Sequence, residues 1–99
     1  MLRHIVLLRM NATSDAEREA SVARLSEALT ALPALIDQIR ELSVGANVVV
    51  RPGNWDLALT VDVDDAAALE EYREHPDHQK VLRLINELVA DRCAVDFAV

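Results

Sequence analysis

Residues 5–8, Ile-Val-Leu-Leu, form an apolar run near the start of a chain of 99 residues. Because successive side chains of a strand point to opposite faces, this run is apolar on both faces of any sheet that contains it. A chain of this length builds one core, and its helices can cover only one face of a small sheet. We therefore expect a single domain over residues 1–99 in which the first strand is central. The face of the sheet that the helices leave open is expected to be covered by another copy of the chain. The alternative is a monomer in which this strand is merely central.

The remaining sequence alternates between helix and strand patterns. Ser14 and Glu17 form a capping box before a helix with an apolar stripe, and Pro33 ends that helix. Arg51-Pro52-Gly53-Asn54 is a turn that joins two strands as an antiparallel hairpin. The full set comprises strands at 3–10, 39–50, 55–63 and 92–99, the helix after Ser14, a short helix capped by Asp64 or Asp65, and a helix over 76–89. This order, β-α-β-β-α-β with the second helix split at Pro76, predicts an α+β, ferredoxin-like fold with a four-stranded antiparallel sheet.

Charge and cysteine content restrict the partners and the compartment. The formal net charge of −7 would repel nucleic acid and anionic membrane surfaces, so neither is expected as a partner. Cys93 is the sole cysteine and cannot form an internal disulfide, which favours a reducing cytoplasm. The amino-terminal apolar run is too short for a signal-peptide core or a membrane span. The sequence therefore predicts a cytoplasmic protein.

Residues 71–80 contain the one tyrosine and two of the three histidines. Pro76 disfavours helix at His75 and suits the first position of a new helix, so both residues are assigned to a helix boundary. His78 then occupies the third position of that helix, where the positive end of the helix dipole disfavours imidazolium. Tyr72 precedes the break, and its hydroxyl could fold back towards His78. The pattern indicates either a neutral acid–base pair or histidines that only satisfy local backbone groups.

His4 opens the first strand on the same face as Val6 and Leu8. A histidine among aliphatic side chains is either a hydrogen-bonded core residue or a pocket group. His75 and His78 have i, i+3 spacing with Asp77 between them, but zinc needs three or four protein ligands and the split helix separates the two rings. No metal site and no cofactor are therefore expected.

Several segments together resemble a known family. They are Arg-His-Ile-Val-Leu-Leu at 3–8, Leu-Pro-Ala-Leu at 32–35, Trp-Asp-Leu-Ala-Leu at 55–59, Tyr-x-x-His-Pro-x-His at 72–78 and Val-Asp-Phe at 95–97. They are similar to the stress-responsive A/B-barrel (Dabb) domain, and the resemblance covers essentially the whole chain. That family is ferredoxin-like and forms dimeric α+β barrels, so the resemblance implies a homodimer joined through its sheet faces.

The resemblance also implies a site. A plant branch of the family contains a polyketide cyclase that performs a cofactor-free aldol condensation. Similarity to its motif implies catalytic roles for Tyr72 and His78, with His4 in the pocket and Asp96 beside His4. The implied pocket lies between sheet and helices and is lined by Val6, Leu8, Leu59, Val61, Val81 and Leu84. Leu25 and Leu57 stand where that cyclase has polar pocket residues, and they are counted with the pocket.

Two functions stay open from the sequence. In the first, a small carbonyl compound such as a polyketide-like or aromatic intermediate undergoes a cyclase- or lyase-type, aldol-like reaction. His78 is its general base, oriented by Asp96, Tyr72 donates a hydrogen bond to the developing oxyanion, and His4 positions the substrate. In the second, a non-catalytic dimer with a stress-related role binds an apolar small molecule. A cofactor-free monooxygenase or haem-handling protein is a third reading, which rests on fold analogy alone.

Overall fold

The computed structural model describes residues 1–99 and confirms the predicted order of elements. The elements are β1 Leu2–Met10, α1 Asp15–Thr30, a 3-10 turn Leu32–Ala34, β2 Glu41–Ala46, β3 Leu57–Val63, α2 Ala66–Glu74, α3 Pro76–Leu88 and β4 Val89–Ala98. The strands form one antiparallel sheet in the order β2-β3-β1-β4. This is the ferredoxin-like arrangement predicted from the sequence. No helix is long and apolar enough to cross a membrane.

The first strand is central, as its apolar run predicts. β1 pairs with β3 on one side and with β4 on the other, so that His4 faces Val61 in one register and Asp96 in the other. All helices pack on the face that carries His4 and Leu8, which is called the inner face below. A single cluster of 15 buried hydrophobic side chains fills the space between this face and the helices. The core therefore lies on one side of the sheet only.

Local signals set the helix boundaries. The Ser14 side chain accepts the backbone N–H of Glu17, as the capping box predicts. The Glu17 carboxylate accepts from the backbone and hydroxyl of Thr13 instead of from Ser14. Asp65 rather than Asp64 caps α2, by accepting the N–H of Ala68. Each cap satisfies a backbone donor that the first helical turn leaves free.

The second strand is shorter than the predicted range of 39–50. It ends at Ala46, which pairs with Leu57 at the start of β3, so the chain beyond it has no neighbouring strand. Val48 and Val50 are 89% and 99% exposed and do not continue the apolar face. The loop is instead held by Asn47 and Asn54, whose side-chain amides donate to the carbonyl of Val49. The alternation of apolar and polar residues overestimated the length of this strand, because it contains no information on strand pairing.

Two further boundaries differ from the prediction. The third strand begins at Leu57 rather than Trp55. Before it, the Asp56 side chain accepts the N–H of Met10, and the Trp55 ring lies 4.3 Å from the guanidinium of Arg9. The fourth strand begins at Val89, directly after α3, rather than at Arg92. All its residues after Val89 are exposed. The helical layer therefore leaves the β4 edge uncovered.

The second face of the sheet, called the outer face below, is apolar at its centre. Ile5 and Leu7 are half-buried there, and Val95 and Phe97 on β4 are 62% and 40% exposed. Towards one rim, Arg3 donates two hydrogen bonds to Asp62, at 2.8 and 3.0 Å. These hydrogen bonds hold the pKa of the Asp62 carboxyl below its usual range. An apolar centre with charged groups at the rim is typical of a protein–protein interface.

Candidate active site

The break between α2 and α3 brings a phenol and an imidazole together. Tyr72 lies near the end of α2, and His78 is the third residue of α3. His75 between them is extended, with φ −60° and ψ 136°, and its Nδ1 accepts the N–H of Asp77, so it caps α3. The chain changes direction there, and the ring centroids of Tyr72 and His78 lie 4.4 Å apart with their planes at 52°. The boundary residues therefore position the pair.

His78 is held by one ring nitrogen, which leaves the other available. Its Nδ1 lies 3.0 Å from the carbonyl oxygen of Arg73. Because a carbonyl oxygen can only accept, Nδ1 carries the hydrogen and Nε2 keeps a lone pair. Burial lowers the pKa of the imidazole below its ordinary 6.5; the bond to the carbonyl opposes this shift, and the charges of Arg73 and Arg92 add to it. His78 is therefore a neutral base at neutral pH.

The Tyr72 hydroxyl is a buried polar group without a hydrogen-bond partner. The residue is 1% exposed, and burial raises the pKa of the phenol to about 12, so the hydroxyl stays protonated. Leaving a buried donor unpaired costs about 1–3 kcal/mol. An acceptor oxygen from a bound molecule would supply the missing hydrogen bond. Tyr72 is therefore suited to bind a carbonyl oxygen next to the lone pair of His78.

Asp96 pairs with His4 and not with His78. The two residues are opposite each other on β1 and β4, and His4 Nδ1 lies 2.5 Å from Asp96 Oδ1. The second carboxylate oxygen of Asp96 lies 3.7 Å from a guanidinium nitrogen of Arg73. The expectation that Asp96 orients His78 is thereby corrected, since the carbonyl of Arg73 does so. His4 stands edge-on to Tyr72 at 6.3 Å, which places the phenol close to both histidines.

The side chains of His4, Tyr72 and His78 line a cavity of about 500 Å³ between the inner face, α2 and α3. This is a usual size for a small-molecule site. Its apolar wall includes the predicted Val6, Leu8 and Leu59, together with Leu29, Leu82, Ile85, Cys93 and Ala94. Its polar lining consists of His4, Tyr72, His78, Arg73, Glu74, Gln79 and Arg92. The cavity combines aliphatic walls with a few polar groups at defined positions.

The structure places the other predicted wall residues away from this cavity. Leu25, Leu57, Val61 and Val81 are buried in the core, and Leu84 is half-buried against it. α1 packs over β2 and α2 packs over β3, so side chains on that side of the inner face meet helices rather than open space. No group of three or more His, Cys, Asp or Glu side chains is placed to hold a metal ion.

Sequence reasoning missed several lining residues. Leu82 and Ile85 follow His78 at i+4 and i+7, so helical spacing alone could have placed them on its face. Arg92 has the same strand parity as Asp96 and therefore lies on the inner face. Arg73 had no such signal, because it enters the site through its backbone carbonyl, which holds His78, and through a guanidinium near Asp96 on another strand.

Comparisons with known proteins identify one family and agree on the fold. A sequence model of the stress responsive A/B barrel domain (Dabb) matches residues 2–99. A dimeric protein of unknown function and ferredoxin-like fold from Bacteroides fragilis is 31% identical, with 99% of this chain and 95% of that one covered and a TM-score of 0.87. A dimeric ferredoxin-like protein from Thermobifida fusca is 37% identical, with 99% and 90% covered and a TM-score of 0.81. A hydroxynitrile lyase from Passiflora edulis is 12% identical, with 99% and 92% covered and a TM-score of 0.82, which shows likeness of fold alone.

Proposed function

The chain belongs to the stress responsive A/B barrel domain family, and from this premise we propose that it is an acid–base enzyme acting on small carbonyl compounds. The observation that carries the proposal is the unpartnered hydroxyl of Tyr72, which lies beside the neutral imidazole of His78 in an aliphatic cavity. An unsatisfied buried donor weakens the fold, so its retention is explained best by a ligand that uses it. The chemistry needs no group beyond these side chains.

The reaction begins at a carbon next to the carbonyl. His78 Nε2 removes a proton from this carbon, and the electron pair moves onto the carbonyl oxygen as an enolate. The Tyr72 hydroxyl donates a hydrogen bond to that oxygen and stabilises its charge. In a cyclase-type reaction the enolate carbon then bonds to a second carbonyl carbon, and the new alkoxide takes the proton back from His78. A lyase-type reaction runs these steps in the opposite direction.

His4 and Asp96 serve this centre as a positioning pair. His4 is 7% exposed, and the carboxylate of Asp96 fixes its ring from the neighbouring strand. Its ring stands edge-on to Tyr72 at 6.3 Å and so borders the phenol. This division of roles leaves the base function to His78, whose second nitrogen has no protein partner.

The same proposal includes a cytoplasmic homodimer joined through the outer faces. The relatives from Bacteroides fragilis and Thermobifida fusca are described as dimeric. Pairing two outer faces would cover the apolar patch that Val95 and Phe97 form with Ile5 and Leu7. It would leave the cavity open, because the cavity lies on the inner face. Each subunit then carries its own site.

A non-catalytic, stress-responsive dimer that binds a small ligand is the second candidate. The aliphatic wall of the cavity favours it equally, since apolar area alone binds an apolar molecule. It gives no role to a neutral base held beside an unpaired phenol. The two candidates therefore differ in proton transfer and not in binding.

Replacing Tyr72 with phenylalanine separates them. The test reaction is exchange of the protons flanking the carbonyl of methyl pentyl ketone for deuterium, followed by NMR in deuterated water. We expect wild type to catalyse the exchange and Tyr72→Phe to lower its kcat/KM by about 100- to 1,000-fold, the usual effect of removing one oxyanion donor. The free energy of unfolding of Tyr72→Phe should stay equal or rise, because the lost hydroxyl has no partner.

Gln38→Ala serves as the control, since Gln38 bonds only to the exposed Glu71 outside the cavity. Binding of the ketone without exchange by wild type would favour the ligand-binding dimer. A loss of stability in Tyr72→Phe would show that the hydroxyl has a structural partner, contrary to its proposed use.

A further inference from the structure

Arg92 stands at the end of the cavity opposite to His4. It lies on the inner face of β4, where it is paired with Leu8, and it lines the cavity. Along β4, Arg92 is four residues from Asp96, the partner of His4. At the usual rise per strand residue these two positions are roughly 13 Å apart. The cavity therefore has a polar end at the acid–base pair and a cationic group further along its length.

The guanidinium of Arg92 has no carboxylate within ion-pair distance. Arg73, the other arginine of the cavity, lies near Glu70 and Asp96 at 3.6 and 3.7 Å. Other arginines, such as Arg83, also lack an acidic partner, but Arg92 is the one among them that lines the cavity. Its charge nevertheless reaches the site, since Arg92 contributes to the lowered pKa of His78. Arg92 is therefore free to pair with a bound anion.

We propose that the substrate is a keto acid, with its carboxylate bound by Arg92 while its carbonyl oxygen accepts the hydrogen bond of Tyr72. This inference rests on the proposed function, because it places the carbonyl at the acid–base pair. A guanidinium matches the two oxygens of a carboxylate with parallel hydrogen bonds. Glu74, which also lines the cavity, would repel a doubly charged phosphate more strongly than a singly charged carboxylate.

The cavity wall between Arg92 and the acid–base pair indicates the chemistry of the rest of the substrate. Val6 lies between His4 and Leu8 on β1, and Leu82 and Ile85 face it from α3. These side chains offer no hydrogen bonds, so the linking part of the substrate is a hydrocarbon of several carbons. A carboxylate attached directly to the ketone would leave this apolar wall without a partner.

Binding of a matched pair of ligands tests the inference. The probes are 6-oxoheptanoate and methyl pentyl ketone, which have the same carbon chain and differ in the terminal carboxylate. Backbone amide shifts in NMR titrations give their Kd values. We expect the acid to bind wild type about tenfold more tightly, and Arg92→Leu to remove this preference by weakening the acid alone. Arg92→Lys should retain part of the preference.

Arg83→Leu is the control, because it removes the same charge from an exposed position of α3 outside the cavity and without an ion pair. It should leave the preference intact. Equal affinities in wild type, or a preference that persists in Arg92→Leu, would overturn the keto-acid proposal while leaving the acid–base proposal in place. An Arg92-dependent preference without deuterium exchange of either probe would keep the anion site and overturn the acid–base function. Failure of both probes to bind would overturn both.

Discussion

Replacing His78 with alanine is expected to lower kcat/KM for deuterium exchange of methyl pentyl ketone by about 100- to 10,000-fold. This is the usual contribution of a positioned general base. The fold should survive, because His78 is half-buried and its Nδ1 makes a single hydrogen bond, to the carbonyl of Arg73. Gln79 donates to the same carbonyl and would keep it satisfied in the variant. The loss of activity should therefore exceed any loss of stability.

The matched control is His75→Asn. His75 lies three residues earlier, outside the cavity lining, and its ring only caps α3. Asparagine is a favourable cap, so this variant should retain both stability and exchange. If His78→Ala kept the wild-type exchange rate, His78 would not be the base, and His4 would be the next group to replace. If both variants lost stability and exchange together, the region would be shown to act through structure alone.

Replacing Val95 with glutamate is expected to convert the proposed dimer to monomers. Val95 is 62% exposed on the outer face of the edge strand β4, opposite Ile5 on the central strand. In a dimer joined through this face, each interface would receive two carboxylates without partners. Juxtaposed like charges and unpaired buried charges each cost several kcal/mol, enough to raise the dimer Kd by more than about a thousandfold. Light scattering should give twice the chain mass for wild type and the chain mass for the variant.

Leu35→Glu provides the control for added charge and lost apolar surface. Leu35 is 52% exposed and lies after the 3-10 turn, away from the sheet. This variant should remain dimeric. A wild-type monomer, or a dimer that is insensitive to glutamate at Val95, would show that the outer faces do not form the interface. Deuterium exchange by monomeric Val95→Glu would further test whether each subunit carries its own site.

The fold could be predicted because its signals are local or periodic. The apolar run at residues 5–8 indicated a central strand, and Pro76 indicated the helix break, without any knowledge of packing. The β2 boundary could not be predicted in this way. Val48 and Val50 continue an alternating pattern, yet a strand exists only where a neighbour pairs with it, and β3 begins too late to do so.

The site was predictable in part for the same reason. Tyr72 and His78 lie close in sequence across one break, so their proximity followed from the motif. The resemblance placed Asp96 beside His4, and the register of β1 with β4 agrees, but the role of orienting His78 was wrongly assigned to it. The residues of the cavity wall could not be predicted without knowing how the helices pack on the sheet. Leu57 and Val61 share the inner face with Leu59, but they contact helices and not the cavity.

The pH dependence of deuterium exchange by wild type tests the central claim most directly. The pKa of His78 is below its ordinary 6.5, so kcat/KM should rise as pH increases through an inflection below that value. The rate should then stay level through neutral pH, since His78 is neutral and the Tyr72 hydroxyl stays protonated up to about 12. The account predicts this plateau at a rate well above that of the protein-free solution. A rate that followed hydroxide concentration throughout, without the inflection, would contradict it.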